Sequence, residues 1–402
     1  MKSSDGRGAA MIKLVLGLLF AFIGIFFIVQ TSMGARGEAG SPLQALAEKS
    51  GIPFGEAFYQ RFEGLMDELT VSCADPLPPV WELAVTGEVF ADEEGGNLYL
   101  TSNTGRVMAV NASSGNILWS LDLGAWVSAP PTTHAGVVYV GATDHVLYAL
   151  DASSGALLWH YASQGEILGQ PIVHSDMVFF SADNDSVSDL VYRLYALDAR
   201  SGTIIWMYDT ESWTPSPPAV GDDTVYIGGY EREVCALDKK SGQKIWSTQA
   251  PNIIFSSPQV VAGKVLLASI DGWIEALNAA NGISEWSTKL PGYTLIAPVD
   301  TSGNLYTYSF RDTIDTLSLQ NGDRLWSFEQ PGLLSCSPLA NGESICAFTK
   351  SGRISVLSST TGERQQLLRL SHDISSPPLL IGGYVYASSA DGVFRAYRLP
   401  FE

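Results

Sequence analysis

The chain has 402 residues, 46% of them hydrophobic, with 39 glycines and 10 tryptophans. That is enough to bury a large, turn-rich core and excludes a mainly disordered polypeptide. The net charge is −19, and because the first forty residues hold four basic and two acidic side chains, the body beyond them carries −21. Such a body repels phosphate backbones and anionic headgroups, which excludes nucleic acid as a partner class.

Residues 1–40 contain the run LVLGLLFAFIGIFFIV, sixteen apolar residues from Leu14 to Val29, preceded by Lys2, Arg7 and Lys13. A spanning helix takes about twenty residues and a signal-peptide core about seven to fifteen, so the run falls between the two classes. Snorkelling of Lys13 and extension through Gln30 to Met33 favour an uncleaved signal anchor over a signal peptide. The basic flank predicts a cytoplasmic N-terminus. The body is then expected outside the cytoplasm, membrane-bound if the segment is kept and secreted or periplasmic if it is cleaved. Residues 41–79 read as a helical linker. Phe58, Phe62, Leu65 and Leu69 keep helical spacing, broken near Gly51-Ile52-Pro53, and ADPLPP closes the segment.

From residue 80 to 402 the sequence repeats. Gly115, Gly155, Gly202, Gly242, Gly282, Gly322 and Gly362 are separated by 40, 47, 40, 40, 40 and 40 residues. A fixed period of this length, filled by short β segments and turns, predicts a propeller. Around each glycine, Asp or Asn and Ser favour a turn through bonds to nearby backbone, and glycine supplies the positive φ that reverses the chain. Trp119, Trp159, Trp206, Trp246, Trp286 and Trp326 follow at fixed offset, and each is expected to pack on the neighbouring unit. Inner strands are predicted near Glu88, Pro130, Pro171, Pro217, Pro258, Pro298, Pro338 and Pro377, which gives eight blades. The last unit stops at FRAYRL without its outer strand, while VWELAV at 80–85 carries Trp81 with no unit of its own. That segment is predicted to complete the last sheet and close the ring, leaving no open sheet edge between first and last blades.

The pattern A-x-D-x-x-x-G-x-x-x-W stands complete at Ala149/Asp151/Gly155/Trp159, Ala196/Asp198/Gly202/Trp206 and Ala236/Asp238/Gly242/Trp246. Ala276/Asn278/Gly282/Trp286 departs at Asp, and later units carry Thr316 for Ala and Gln366 for Trp. These residues resemble the tryptophan-docking repeat of quinoprotein-type (pyrroloquinoline quinone-like) propellers, over residues 80–400. The resemblance implies an all-β, eight-bladed ring, and two branches of function. One branch comprises dehydrogenases with pyrroloquinoline quinone and calcium. The other, BamB-like, is a scaffold without cofactor. The dehydrogenase pocket implies a vicinal disulfide over the quinone and long loops around it. This chain has no Cys-Cys pair, and TDH at 143–145, IDG at 270–272 and ADG at 390–392 are short turns. The sequence therefore favours a non-catalytic scaffold with no cofactor. A quinone-dependent dehydrogenase or cofactor-binding sensor is the alternative, and a glycan-binding surface protein the third class.

Cys73, Cys235, Cys336 and Cys346 form no CxxC. A two-residue turn at Asn341-Gly342 would put Ser337, not Cys336, opposite Cys346, so free buried thiols are expected. The seven-residue insertion brings Asp183, Asp185 and Asp189 together in SADNDSVSDLVY, a candidate set of oxygen ligands for calcium. It lacks the glycine and distal glutamate of an EF-hand loop, so a solvated acidic loop is preferred. Histidines at 134, 145, 160, 174 and 372 show no metal-ligand spacing, and Glu93-Glu94 reads as a solvated turn. Four residues before each inner-strand proline stand Trp126, Ile167, Trp213, Ile254, Thr294, Leu334 and Asp373. With Phe255, Tyr293 and Trp273, they are predicted to form an apolar and aromatic rim for a protein or peptide partner. Packing between blades is the competing reading.

Overall fold

The computed structural model describes residues 76–183, 192–210, 216–229, 232–254, 256–291, 294–299, 303–309, 313–330, 332, 334–341 and 343–400. The chain divides into units 1–72 and 73–402, and all described residues fall in the second. The predicted anchor and most of the helical linker lie outside the described residues, among which there is no helix.

The described strands form eight four-stranded antiparallel sheets. We designate these blades A (89–122), B (132–162), C (172–209), D (219–249), E (259–289), F (294–329) and G (339–369). Blade H takes three strands from 379–398 and its outermost strand from β1 (Pro79–Ala84). Trp81 pairs with Ala396 and Ala84 with Val393, so the two ends of the ring are sewn into one sheet, as the sequence predicts. First strands of neighbouring blades approach one another, A with B, B with C, D with E and F with G, and gather at the centre. Fourth strands form the periphery, where exposed and half-buried side chains alternate. Buried side chains form eight apolar clusters, most of them spanning the contact between two consecutive blades.

The repeat motif builds those joints. Asp151 Oδ1 accepts hydrogen bonds from Ser154 N at 2.8 Å and from the Ser153 and Ser154 hydroxyls at 2.6 Å, fixing the turn that ends at Gly155. These serine hydroxyls hold the Asp151 carboxyl below its ordinary range, and Ser201 and Ser241 do the same to Asp198 and Asp238. Each turn glycine then receives a tryptophan ring from the preceding blade. At Gly242 (φ +71°) a Cβ would fall 2.7 Å from Trp206 Cδ2, so the close approach and the positive φ both demand glycine. Trp81 docks this way on Gly115, Trp119 on Gly155, Trp159 on Gly202, Trp246 on Gly282, Trp286 on Gly322 and Trp326 on Gly362. All seven indoles donate Nε1–H to a carbonyl of the receiving blade. The acceptors are Ala112, Ala152, Ala199, Lys239, Ala279, Leu319 and Ser359, at 2.8–3.1 Å. An aromatic ring from the second strand flanks six of the seven at 5.9–6.3 Å, as Phe179 does for Trp206. Trp81, Trp206 and Trp286 are buried, whereas Trp119, Trp159, Trp246 and Trp326 keep an outer edge in solvent. At Trp159 and Trp246 the dock on the neighbouring blade leaves part of the ring in solvent, because each ring lies over a turn only a few residues wide.

Two further details differ from expectation. Asn341 pairs with Ser344 and Leu339 with Cys346, so the hairpin turn is one residue later than predicted and Leu339, not Ser337, faces Cys346. Cys235, Cys336 and Cys346 are free, and burial pushes all three thiols up to about 12. Glu93 and Glu94 lie in a strand rather than a turn. The carboxylates of this strand tie A to B: Asp92 Oδ2 accepts Thr133 N at 2.7 Å and Glu94 Oε2 accepts Gly136 N at 3.1 Å.

Candidate interaction face

The described loops leaving the fourth strands of blades A, B and D lie against the end of the second strand, or the turn after it, in the following blade. Thr143 N donates to Trp126 O at 2.9 Å, Asp183 N to Glu166 O at 3.3 Å and Ile270 N to Ile253 O at 3.1 Å. One residue further on, Val127, Ile167, Ile254, Leu334 and Ile374 are buried as plugs between blades. Of the residues assigned to the predicted rim, Ile167, Ile254 and Leu334 are buried. The residue before each of these first strands is Pro131, Pro171, Pro258, Pro338 or Pro378. In the proline pairs Pro130-Pro131 and Pro377-Pro378 it is thus the second proline that fixes the register. Counted from these prolines, the fourth residue back is always a plug, and packing between blades is what Ile167, Ile254 and Leu334 do. The outward position is one residue earlier, where Trp126 stands in the loop between A and B.

Trp126 is 58% exposed, the most exposed tryptophan among the described residues. Leu168, in the next such loop, is 37% exposed, and Ser128 Oγ donates to Leu168 O at 3.0 Å, tying the two loops together. Leu168 lies one residue beyond the plug Ile167, so an offset counted from the proline does not point to it. Two successive apolar residues after Glu166, the first a plug, were the available signal. Trp273 is placed at the same end but is already engaged: Lys289 Nζ lies 5.2 Å from its ring centroid and 2.8 Å from Asp271 Oδ2. Burial raises the Asp271 carboxyl, but hydrogen bonds from Lys289, Ser269 and Asn252 outweigh it and bring the value to about 2. Trp213, Phe255 and Tyr293 lie outside the described residues, as does the side chain of Thr294.

Two cations on this face are held by the chain's own carboxylates, Arg193 by Asp209 and Lys289 by Asp271. His145 (φ 70°) and Arg232 (φ 66°) occupy the second-to-third strand turn position that Gly105, Gly272, Gly352 and Gly392 fill in other blades. Their carbonyls accept Ser163 N and Ala250 N at 2.7 Å, from the residues that follow the fourth strands of the same blades. Of the candidate calcium ligands, Asp183 ends a strand with its side chain against Gly165, while Asp185 and Asp189 lie outside the described residues. Among the described residues no three His, Cys, Asp or Glu side chains gather in a metal-binding group. His174 Nδ1 lies 3.1 Å from Lys239 Nζ, and His372 Nδ1 lies 3.2 Å from Tyr397 Oη. Among the described residues the thiols of Cys235, Cys336 and Cys346 are free, and the seven docking tryptophans are spent on glycine turns.

Eight sheets sewn into a ring by indole-on-glycine docks define a PQQ-like repeat β-propeller. The family model described as outer membrane protein assembly factor BamB matches residues 68–180 and 191–399, and the chain belongs to that family. No curated protein sequence matches this chain. Among solved structures, BamB from Moraxella catarrhalis is similar at 20% identity and TM-score 0.67, covering 80% of this chain and 100% of its own. The computationally designed Ika8 protein is similar at 14% identity and TM-score 0.70, covering 81% of this chain and 100% of its own. Quinohemoprotein alcohol dehydrogenase from Comamonas testosteroni is similar at 16% identity and TM-score 0.63, covering 81% of this chain and 77% of its own. An assembly factor, a designed protein and an enzyme share this ring, so these likenesses establish the fold and leave function to the face.

Proposed function

We propose that the protein is a non-catalytic interaction scaffold that takes a protein partner on the face carrying Trp126 and Leu168. The observation that carries this reading is Trp126 itself: an indole 58% exposed in a chain whose seven repeat tryptophans are all docked. An exposed aromatic beside an exposed leucine, on loops held by backbone hydrogen bonds, is the anchor expected of a binding hot spot. Membership of a family described by an outer membrane assembly factor supports a partner in envelope assembly. The apolar run Leu14–Val29 behind Lys2, Arg7 and Lys13 supports a body held outside the cytoplasm by one N-terminal helix.

The test is crosslinking mass spectrometry on the full-length chain in its native membrane, followed by affinity measurement on the partner recovered. Trp126→Ala with Leu168→Ala is expected to weaken binding by at least about thirtyfold, the equivalent of ~2 kcal/mol, and to leave the melting temperature unchanged. Pyrroloquinoline quinone with calcium is expected to leave the melting temperature unchanged, although a bound ligand at a hundredfold excess over its Kd would add about 2.7 kcal/mol. Saturable quinone binding with alcohol-dependent dye reduction refutes the scaffold.

A further inference from the structure

Seven of the eight joints between blades carry the same lock, an indole seated on a turn glycine and bonded to a carbonyl beside it. The joint from G to H does not. Gln366 stands where the indole would be, opposite Val356, and Cys346 takes the place of the flanking aromatic ring. The reason is topological. The receiving glycine belongs to the turn between third and fourth strands, and in blade H the fourth strand comes from the other end of the chain. No such turn exists to receive a ring.

A different device closes this joint. Leu77, two residues before β1, forms a parallel bridge with Leu370. Leu77 N donates to Arg369 O at 2.7 Å, and Ser371 N donates to Leu77 O at 3.2 Å. The Leu77 side chain packs on the apolar cluster that holds Leu370, Ile374 and Tyr397. The joint is thus filled by side chains of blades G and H and pinned by the incoming chain, without an indole lock.

The opposite joint, from F to G, is weakened independently. Thr316 Oγ1, Gln330 Oε1 and Ser355 Oγ are buried without a hydrogen-bond partner. Strand alternation puts Thr316 on the face of Ile314, Gln330 on that of Phe328 and Ser355 on that of Leu357. Ile314, Phe328 and Leu357 all belong to the cluster filling this joint. Buried polar atoms that gain no partner on closure oppose it, and opening returns them to water.

We propose that blade G is the ring's opening unit, held shut by Leu77, and that it separates from its neighbours while the other blades stay closed. Partial opening of one contiguous unit below global unfolding is the behaviour expected of the least stably held part of a structure. Hydrogen exchange followed by mass spectrometry on the full-length chain tests this. Amides of 344–369 are expected to exchange at least about tenfold faster than those of 137–162. Leu77→Ala is expected to speed exchange in blade G and β1 further while leaving blade B unchanged. Thr316→Val with Ser355→Ala, which removes two of the unpartnered atoms without removing bulk, is expected to slow it. The proposal is overturned if blades G and B exchange together in the parent protein. It is equally overturned if Leu77→Ala accelerates all blades alike or none, or if the double variant fails to slow blade G.

Discussion

Trp206 offers the sharpest measure of what a lock contributes. Its ring is 7% exposed, sits on Gly242, faces Phe179 at 5.9 Å and donates Nε1–H to Lys239 O at 2.8 Å. Trp206→Ala removes the buried surface, leaves a gap between blades C and D and strands the Lys239 carbonyl. Large aromatic truncations of this kind cost about 3–5 kcal/mol. Trp206→Phe keeps much of the bulk and deletes the hydrogen bond, and should cost about 1–2 kcal/mol. Gly242→Ala attacks the same dock from the other side. A Cβ at 2.7 Å from Trp206 Cδ2 must push the ring out, and a positive φ adds about 1–2 kcal/mol for any residue with a Cβ. Equilibrium urea denaturation, read by far-ultraviolet circular dichroism so that the loss of one indole does not bias the signal, gives the three values. The reasoning is refuted if Trp206→Ala costs under ~1 kcal/mol, or if Trp206→Phe costs as much as the alanine variant.

Two other outcomes follow from the same joints and turns. Gln366→Trp is expected to give no stabilisation, because blade H presents no glycine turn to receive the ring; a gain of more than ~1 kcal/mol in urea denaturation would show that the seam has a hidden dock. Asp271→Asn should destabilise by under ~1 kcal/mol at neutral pH, since the pair with Lys289 is partly exposed and screened. Because the folded value of Asp271 lies at about 2, below the ordinary 3.8, its contribution is present above the ordinary value and lost as pH falls through about 2. The stability difference between parent and variant should therefore shrink only in that acidic window, and a difference that vanishes by pH 5 would contradict the assignment.

Much of the ring was legible because its parts repeat with a ruler. Glycine at a 40-residue interval marks a turn with one geometry, and the tryptophan four residues after it is the ring that docks on the glycine turn of the next blade. Closure was legible too, since VWELAV carried an indole with no turn before it. The face was less legible. Proline pairs blurred the register by one residue, and in a loop one residue separates a buried plug such as Val127 from an exposed anchor such as Trp126. The degree of burial of the docking rings was illegible for a related reason. Composition says that an indole is worth burying, but how much solvent remains depends on the width of the turn it covers. Nor does the sequence reveal that Trp273 is capped by Lys289, a contact set by side chains 16 residues apart on paired strands.

Gln366 and Cys346 look in the sequence like decay of the motif in a late repeat. Their position argues otherwise. A ring sewn from both ends has one blade without a continuous turn between its third and fourth strands, so the blade before it has nothing on which to dock. The lock donor is dispensable there, and so is the aromatic ring that flanks it. Thr316, by contrast, sits in a blade whose own dock is intact, with Trp326 donating to Ser359 O at 3.0 Å, and topology gives no reason for its hydroxyl. A residue that departs from the motif where the geometry still calls for it marks a property other than closure. In this ring that departure falls beside Gln330 and Ser355, on the joint from F to G, so that blade G lacks an indole lock on one side and meets unpartnered polar atoms on the other.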